Sequence, residues 1–390
     1  MKLHIPKELH SFETLLAKLV GENSISASDS SWDHSNESVI RELEKWFLGL
    51  GFRCEVIPVD QQAGKYNLIA TLGTGSRGLV LAGHTDTVPY DQARWNSDPF
   101  KLSFSEGKYY GLGTCDMKGF FPIIVEALKS MDQAELNEPL IIVATADEES
   151  SMAGARLIAQ QGKLQARAAV IGEPTSIRPI RMHKGILMEA VEFRGCSGHS
   201  SNPDLGNSAV NAVHGFLGEL FAFRSRLQAN YQNANFEVSG PTLNVGAIHG
   251  GDSPNRICGH CQMNFDIRPL PGMSVSSLHA EIDALVKQTG YKYKIDVKHR
   301  HMVEPVPAFE TSRDAELVKA CERLTGVPAE AVAFATEAPF LSGMGMETVV
   351  MGAGSIDQAH QPNEFLAEQQ VGEMAKVLSS LINSYCIAQP

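Results

Sequence analysis

Four short apolar runs in this chain are each followed closely by a histidine or by acidic residues. They are Gly78–Ala82 before His84, Leu140–Ala146 before Asp147, Ala166–Ile171 before Glu173, and Thr348–Gly354 before His360. Short apolar strands that alternate with helical patterns predict an α/β fold whose sheet has much parallel character. Ligands of such sheets gather outside the carboxyl ends of the strands. The pattern therefore predicts one site, assembled from several strand ends.

A change of pattern from about His183 predicts an inserted domain. The strand-like ILMEAVEFRG is followed by a helical pattern over Ala209–Leu227, a second helical pattern over Val275–Thr289 and a strand pattern over Tyr291–Val297. Two helices on one antiparallel sheet would fit this block. Because the apolar run before His360 resumes the first pattern, we predict a discontinuous catalytic domain, residues 1–182 and 305–390, of α/β/α architecture. Residues 183–304 would form an α+β insert.

Length and charge narrow the class of protein. A chain of 390 residues suggests two domains, and its 43% hydrophobic and 20% charged residues are those of a soluble globular protein. A net charge of −12 argues against a nucleic-acid partner. No run approaches the roughly 18 apolar residues that span a bilayer, and the first residues lack the pattern of a signal peptide. Seven scattered cysteines favour a reducing cytoplasm.

Two of the cysteines form a CxxC pair, Cys258 and Cys261. Such a pair could indicate a redox or zinc motif. Apolar residues alternate with polar ones across this stretch, which predicts a strand with the two thiols on opposite faces. We therefore interpret the pair as structural.

Two histidines and several carboxylates lie beside small or turn-forming residues in an order that predicts a two-metal hydrolytic site. The fragments are GHTDTVP with His84 and Asp86, GTCDMKG with Asp116, TADEES with Glu148 and Glu149, IGEPT with Glu173, and SIDQAHQP with His360. Zinc takes imidazole nitrogen and carboxylate oxygen as ligands, and a catalytic site keeps a position open for water. Any one fragment alone is weak evidence for such a site, whereas all five in this order are strong evidence.

These fragments resemble the dinuclear-zinc M20 amidohydrolases, and the resemblance spans nearly the whole chain. It implies that His84 and Glu173 bind one metal ion, that Glu149 and His360 bind the other, and that Asp116 bridges them. It also implies a cis peptide bond after Asp116. The two divalent ions would be Zn²⁺ or Co²⁺.

Two further roles near the metals follow from the resemblance. Glu148 would be the general base. Asp86 would orient His84 by accepting a hydrogen bond from its second ring nitrogen, and residues two apart on an extended chain do share a face.

Further residues are carried over from the same resemblance. His199, in SGHSS, would donate a hydrogen bond to the oxyanion from the partner subunit of a homodimer, so that the insert serves as a lid and dimerisation domain. Asn255 and Arg256 would bind the substrate carboxylate, since arginine pairs with carboxylates through two parallel hydrogen bonds. Gly354 and Ser355 would line the pocket beside His360.

Within the family, strings such as HKG, SGHSS and TEAPF most resemble the enzymes that deacetylate N2-acetyl-L-ornithine in arginine biosynthesis. The implied reaction releases acetate and L-ornithine in the cytoplasm, with a small acylated amino acid as partner and no membrane or nucleic acid. Hydrolysis of succinyl-diaminopimelate, or of N-acyl amino acids in general, stays open. A protein that binds metal without catalysis is disfavoured, because Glu148 and His360 are both present.

Other acidic and histidine residues have simpler interpretations. Asp147 opens the acidic triplet but is more typical of a strand end or turn than of a third ligand. We interpret His249, His299 and His301 as surface or packing residues.

Overall fold

The structure, a computed structural model, describes residues 5, 6, 9, 11–131 and 134–387. The chain divides into two compact units, which we call unit 1 and unit 2. Unit 1 comprises Met1–Arg181, Thr311–Glu330 and Thr336–Pro390, and unit 2 comprises Met182–Glu310 and Ala331–Ala335. Among the helices of the described residues, none combines the length and the apolar character that crossing a membrane requires.

Helices and strands alternate along unit 1. Its helices are α1 (Phe12–Val20), α2 (Glu37–Gly49), α3 (Phe120–Lys129), α4 (Ala153–Gln161), α7 (Glu316–Thr325), α8 (Ala338–Gly343) and α9 (Glu368–Ile382). Its strands are β1 (Arg53–Asp60), β2 (Lys65–Leu72), β3 (Leu79–His84), β4 (Ser103–Ser105), β5 (Lys108–Tyr110), β6 (Leu140–Thr145), β7 (Ala168–Pro174), β15 (Glu347–Gly352) and β16 (Phe365–Ala367).

Unit 2 contains two long helices and a four-stranded sheet. Its helices are α5 (Ala209–Asn230) and α6 (Val275–Tyr293), and its sheet strands are β9 (Leu187–Arg194), β10 (Thr242–Gly250), β11 (His260–Arg268) and β12 (Asp296–His301). Three short strands lie where the chain passes from one unit to the other: β8 (Ile180–His183), β13 (Phe309–Glu310) and β14 (Glu330–Val332).

The central sheet of unit 1 confirms the predicted α/β fold. Its strand order begins β1-β2-β6-β3-β7-β15, and β3 is parallel to both β6 and β7, as β15 is to β7. Every residue of β3, β6 and β7 is buried, because helices cover both faces of a parallel sheet. The carboxyl ends of these strands therefore open at one edge, where the residues after each strand meet.

The sheet of unit 2 is antiparallel, in the order β10-β11-β9-β12. Its apolar face is buried with the apolar faces of α5 and α6 in one core, to which β9 contributes Phe193 and α5 contributes Phe216. The other core, in unit 1, holds Trp46 and Phe47 from α2. Each unit therefore has its own hydrophobic core.

Two local predictions in unit 2 are wrong. A strand was predicted over Tyr291–Val297, but α6 continues to Tyr293 and is capped by Lys294, whose φ of 53° is left-handed. The strand begins only at Asp296. Cys258 lies before β11 instead of within it, so its Sγ lies 3.6 Å from the Sγ of Cys261 and the two thiols do not point to opposite faces.

Candidate metal centre

Asp116 lies between two histidines in unit 1. Its Oδ1 is 3.1 Å from the Nε2 of His84, and its Oδ2 is 3.6 Å from the Nε2 of His360. Asp116 precedes α3 and is followed by a cis peptide bond to Met117, as expected. One buried carboxylate thus presents a separate oxygen to each imidazole, which is the arrangement that a bridging metal ligand requires.

His84 is fixed at the end of β3 with one ring nitrogen facing the carboxylates. Its Nδ1 donates a hydrogen bond to the main-chain carbonyl oxygen of Asp86 at 3.0 Å. A carbonyl oxygen only accepts, so Nδ1 carries a proton and Nε2 points toward Asp116 and toward Glu173, whose Oε1 is 3.9 Å away. The ring is fully buried, which leaves it little freedom to turn.

Asp86 accepts the hydrogen bond from the second ring nitrogen of His84 through its main-chain carbonyl, which leaves its carboxylate to other partners. The carboxylate lies 3.6 Å from the Nδ1 of His84. The two carboxylate oxygens instead accept the main-chain N–H groups of Glu148, at 3.3 Å, and Glu149, at 3.1 Å. Asp86 therefore holds the loop after β6 that carries both glutamates.

Glu149 and His360 form the second half of the cluster. The Nε2 of His360 lies 3.0 and 3.2 Å from the two carboxylate oxygens of Glu149. His360 follows β15 in a left-handed conformation with φ of 59°, and its side chain is 56% exposed, in contrast to His84. The centre is therefore buried on the His84 side and open toward solvent on the His360 side.

Two overlapping groups of ligand atoms lie close enough to hold metal ions. His84, Asp116 and Glu149 form one group, and His84, Glu148 and Glu173 form the other, each with ligand atoms within 4.8 Å of one another. Glu148, predicted as the general base, thus lies among the ligand candidates. Asp147 does not, because its Oδ1 is 2.9 Å from the buried Nζ of Lys65 and accepts from Ser26 Oγ.

The pKa values of Glu148, Glu173 and His84 are all shifted upward in this cluster. Burial raises the pKa of Glu148 well above its usual value, and the charge of Glu173 raises it further. Burial likewise raises the pKa of Glu173, with Asp116 as the next cause. Burial alone would lower the pKa of His84, but its hydrogen bond to Asp116 and the nearby carboxylates raise it well above 6.5.

A buried set of carboxylates is costly without compensating positive charge. Imidazole nitrogen and carboxylate oxygen are also the ligands of zinc and related divalent ions. The residues therefore fit divalent metal ions.

Glu364 is a positioning residue that the sequence patterns did not reveal. Its Oε1 accepts the main-chain N–H groups of Cys115, at 2.7 Å, and Asp116, at 2.9 Å, while its Oε2 accepts that of Gly113, at 2.9 Å. Burial raises the pKa of Glu364 to about 8. The only signal in the sequence is its position four residues after His360, which does not show what it contacts.

Glu337 is a second buried acid that was missed. It lies in the TEAPF string, whose resemblance was noted without a role for this residue. Its Oε2 accepts a hydrogen bond from Thr145 Oγ1 at 2.9 Å, and its Oε1 has no hydrogen-bond partner among the described residues. Burial raises the pKa of Glu337 to about 7.

The predicted substrate residues fall in both units. In unit 1, Gly354 has φ of 89° and the main-chain carbonyl of Ser355 accepts a hydrogen bond from Cys115 Sγ at 3.5 Å. In unit 2, His199 pairs with Arg256 in an isolated bridge, and the carbonyl of Asn255 accepts from the N–H of the residue after His199 at 3.1 Å. His199, Asn255 and Arg256 are therefore neighbours within unit 2.

Two relatives that match along nearly the whole chain are acetylornithine deacetylases. The chain is 45% identical over 381 residues to the acetylornithine deacetylase of Photorhabdus laumondii, covering 98% of this chain and 99% of that one. It is 46% identical over 379 residues to the acetylornithine deacetylase of Edwardsiella ictaluri, covering 97% and 99%.

Solved structures with the same fold are more distant in sequence. A tripeptidase from Staphylococcus aureus matches with a TM-score of 0.74 at 18% identity, covering 97% of this chain and 98% of that one. An M20 family metallo-carboxypeptidase from Sulfolobus solfataricus matches with a TM-score of 0.73 at 17% identity, covering 97% and 99%. These likenesses concern the fold alone.

The family model described as peptidase family M20/M25/M40 matches residues 80–384, a range that contains every residue of the candidate metal centre. Together with relatives of more than 40% identity along nearly the whole chain, this match means that the chain belongs to peptidase family M20/M25/M40.

Proposed function

We propose that this chain is a metal-dependent amide hydrolase that removes the acetyl group from N2-acetyl-L-ornithine and releases L-ornithine and acetate. The observation that carries the proposal is the position of Asp116 between His84 and His360. The names of the full-length relatives supply the substrate. The reaction would serve arginine biosynthesis in the cytoplasm.

Two divalent ions, Zn²⁺ or Co²⁺, would be held by the paired halves of the centre. His84 and Glu173 would hold one ion, His360 and Glu149 the other, and Asp116 would contact both. When bound, such ions lower the pKa of water toward about 7 and polarise a carbonyl group. The half-exposed His360 leaves the substrate an approach to one side of the centre.

Glu148 would move the proton. It lies next to Glu149 on the loop that Asp86 holds, and its ligand atom is within 4.8 Å of those of His84 and Glu173. A carboxylate in this position would take a proton from the attacking water and pass it to the leaving amine. Glu148 and Glu149 are adjacent but have different surroundings, so Glu148 would act as the base while Glu149 binds metal.

Unit 2 would act as the lid and dimerisation domain of a homodimer. His199, whose Nδ1 lies 2.7 Å from the hydroxyl of Ser201, would donate from Nε2 to the oxyanion in the active site of the partner subunit. This division of labour rests on family resemblance. Mixing a variant altered at His199 with one altered at Glu148 tests this role directly.

Asn255 and Arg256 would bind the α-carboxylate of the substrate. Arg256 now pairs with Asp252 at 2.8 Å, and both side chains are more than half exposed. An exposed pair of this kind is weak, about 0 to 1 kcal/mol, so the guanidinium is free to exchange partners. Gly354 and Ser355 would line the pocket next to His360.

The alternative substrates differ in the size and charge of the acyl group that the pocket must accept. A succinyl group carries a distal carboxylate that needs a cation, whereas an acetyl group needs only a small apolar niche. The test that distinguishes them measures release of free amine from N2-acetyl-ornithine, N-acetyl-methionine and N-succinyl-diaminopimelate. Each substrate is assayed before and after metal is removed with a chelator.

Metal-dependent hydrolysis fastest with acetyl-ornithine would support the proposal. Preference for the succinyl compound would keep the mechanism and change the substrate. Hydrolysis that survives complete metal removal would refute the mechanism.

A further inference from the structure

Three histidines surround one buried glutamate in unit 2. The Oε1 of Glu189 lies 2.9 Å from the Nε2 of His279, and its Oε2 lies 2.8 Å from the Nε2 of His299 and 2.7 Å from the Nδ1 of His301. The side chain of Glu189 is completely buried. The mechanism proposed above uses none of these four residues.

The fold brings these side chains together from three elements. Glu189 and His301 are directly opposed in the pairing of β9 with β12, and His299 shares the face of His301 because side chains alternate along a strand. His279 comes from α6, which packs against β12. The rings of His279 and His301 are stacked, with centroids 4.1 Å apart.

The carboxylate of Asp283 holds His299 on the side away from Glu189. His299 lies between two acids, with its Nε2 on Glu189 and its Nδ1 2.9 Å from the Oδ1 of Asp283. Burial acts to lower the pKa of His299, but its hydrogen bonds to these acids raise it overall. A chain of carboxylate, imidazole and carboxylate is how proteins hold a ligating group in one orientation. Asp283 thus orients His299, and His299 orients Glu189.

We propose that Glu189, His279 and His301 form a metal site in unit 2, for a divalent transition ion such as Zn²⁺, separate from the candidate dinuclear centre. The three residues offer one carboxylate oxygen and two imidazole nitrogens, all within 4.8 Å of one another. Two histidines and a glutamate are a known zinc ligand set, with a fourth position left for water. His301 is 41% exposed, which gives an ion a route from solvent.

Metal binding needs only a small rearrangement. Ligand atoms about 2.1 Å from a tetrahedral ion lie about 3.4 Å apart, whereas Glu189 now accepts hydrogen bonds of 2.7 to 2.9 Å. His301 is the last residue of β12 and the most exposed of the three ligands, so it would be the one to move. With the ligating imidazoles neutral, the charges of Glu189 and Asp283 would offset most of the charge of the ion and of His299, which lies between two carboxylates.

The test counts zinc bound by protein without a polyhistidine tag. Wild type, His301→Gln and His279→Gln are dialysed against Zn²⁺, passed through a desalting column and measured by elemental analysis. Each variant is expected to retain about one zinc per chain less than wild type. His260→Gln is the matched control, since His260 is exposed in the same unit and lies 2.9 Å from a single carboxylate, that of Glu192. It should retain the wild-type amount.

A second measurement removes the candidate dinuclear centre. Protein with both His84→Ala and His360→Ala should keep about one zinc per chain, and adding His301→Gln should abolish it. Because this count does not involve activity, it separates the unit 2 site from the proposed reaction. Equal zinc in wild type and the two single variants would overturn the site, as would no retained zinc in the double variant. The cluster would then be a hydrogen-bonded network only.

Discussion

The carboxylate of Glu364 accepts a hydrogen bond from the main-chain N–H of Asp116 at 2.9 Å, and the same oxygen accepts that of Cys115 at 2.7 Å. Its second oxygen accepts the N–H of Gly113. Three donors of one loop therefore converge on one buried side chain. This fixes the loop that places Asp116 between the two histidines.

Glu364→Gln should weaken metal binding without changing any ligand. A carboxamide offers one acceptor oxygen and an NH2 group, so at least one main-chain donor would face another donor in a buried position. We expect metal affinity to fall about 10- to 100-fold, the usual effect of losing a group that orients ligands. A competition titration with a chromogenic chelator measures this affinity. Glu373→Gln, at an exposed position of α9, is the control and should be neutral; equal affinities in both variants would contradict the positioning role.

Lys65→Met should destabilise unit 1. The Nζ of Lys65 is 2.7 Å from Asp33 and 2.9 Å from Asp147, and its side chain is 2% exposed. Removing one partner of a buried ion pair leaves charge uncompensated, at a cost of 3–5 kcal/mol in other proteins. We expect about 3 kcal/mol, because Asp33 and Asp147 keep some contact with water.

Chemical denaturation followed by circular dichroism measures this loss for Lys65→Met. Lys319→Met is a fair comparison, since Lys319 makes an exposed pair with Asp314. That substitution should change the free energy of unfolding by less than about 1 kcal/mol. A similar loss in both variants would mean that burial of the Lys65 pair does not matter.

The sequence predicted the location of the candidate centre better than its internal contacts. His84 and Glu173 follow apolar runs that became parallel strands, so the physics of strand ends was enough to bring them together. Glu364 could not be predicted in this way, because its partners lie about 250 residues earlier in the chain and are main-chain groups. Because every residue except proline carries a main-chain N–H group, the residue types do not show which of these groups a side chain will bind.

Two further contacts also depend on details that residue types do not show. Asp86 was expected to accept a hydrogen bond from the second ring nitrogen of His84, and its main-chain carbonyl does so because it lies nearer to that nitrogen than the carboxylate does. His299 and His301 were interpreted as surface or packing residues, and their exposures of 6% and 41% agree with that, but an alternating strand edge does not show that a buried glutamate lies opposite. Pattern reasoning thus identifies elements and faces, while partners across a sheet depend on register.

Glu148→Ala should separate catalysis from metal binding. If Glu148 is the general base, activity on N2-acetyl-ornithine should fall at least about a hundredfold while metal content stays close to that of wild type. Glu149→Ala is the matched variant on the same loop, and it should lose metal, because Glu149 faces His360. Elemental analysis and steady-state kinetics distinguish the two. A Glu148→Ala enzyme that keeps more than about a tenth of the wild-type rate would exclude the role of base.

His199→Ala should lower turnover without changing metal content, since His199 lies in unit 2 and outside both ligand groups of unit 1. If His199 serves the active site of a partner subunit, mixing His199→Ala with Glu148→Ala protein gives some dimers with one intact site. Random exchange of subunits would then restore up to about a quarter of wild-type activity, the most that independent sites permit. The mixture is assayed after mild unfolding and refolding, with each variant alone treated in the same way. Activity no greater than that of the separate variants would place His199 in the site of its own chain.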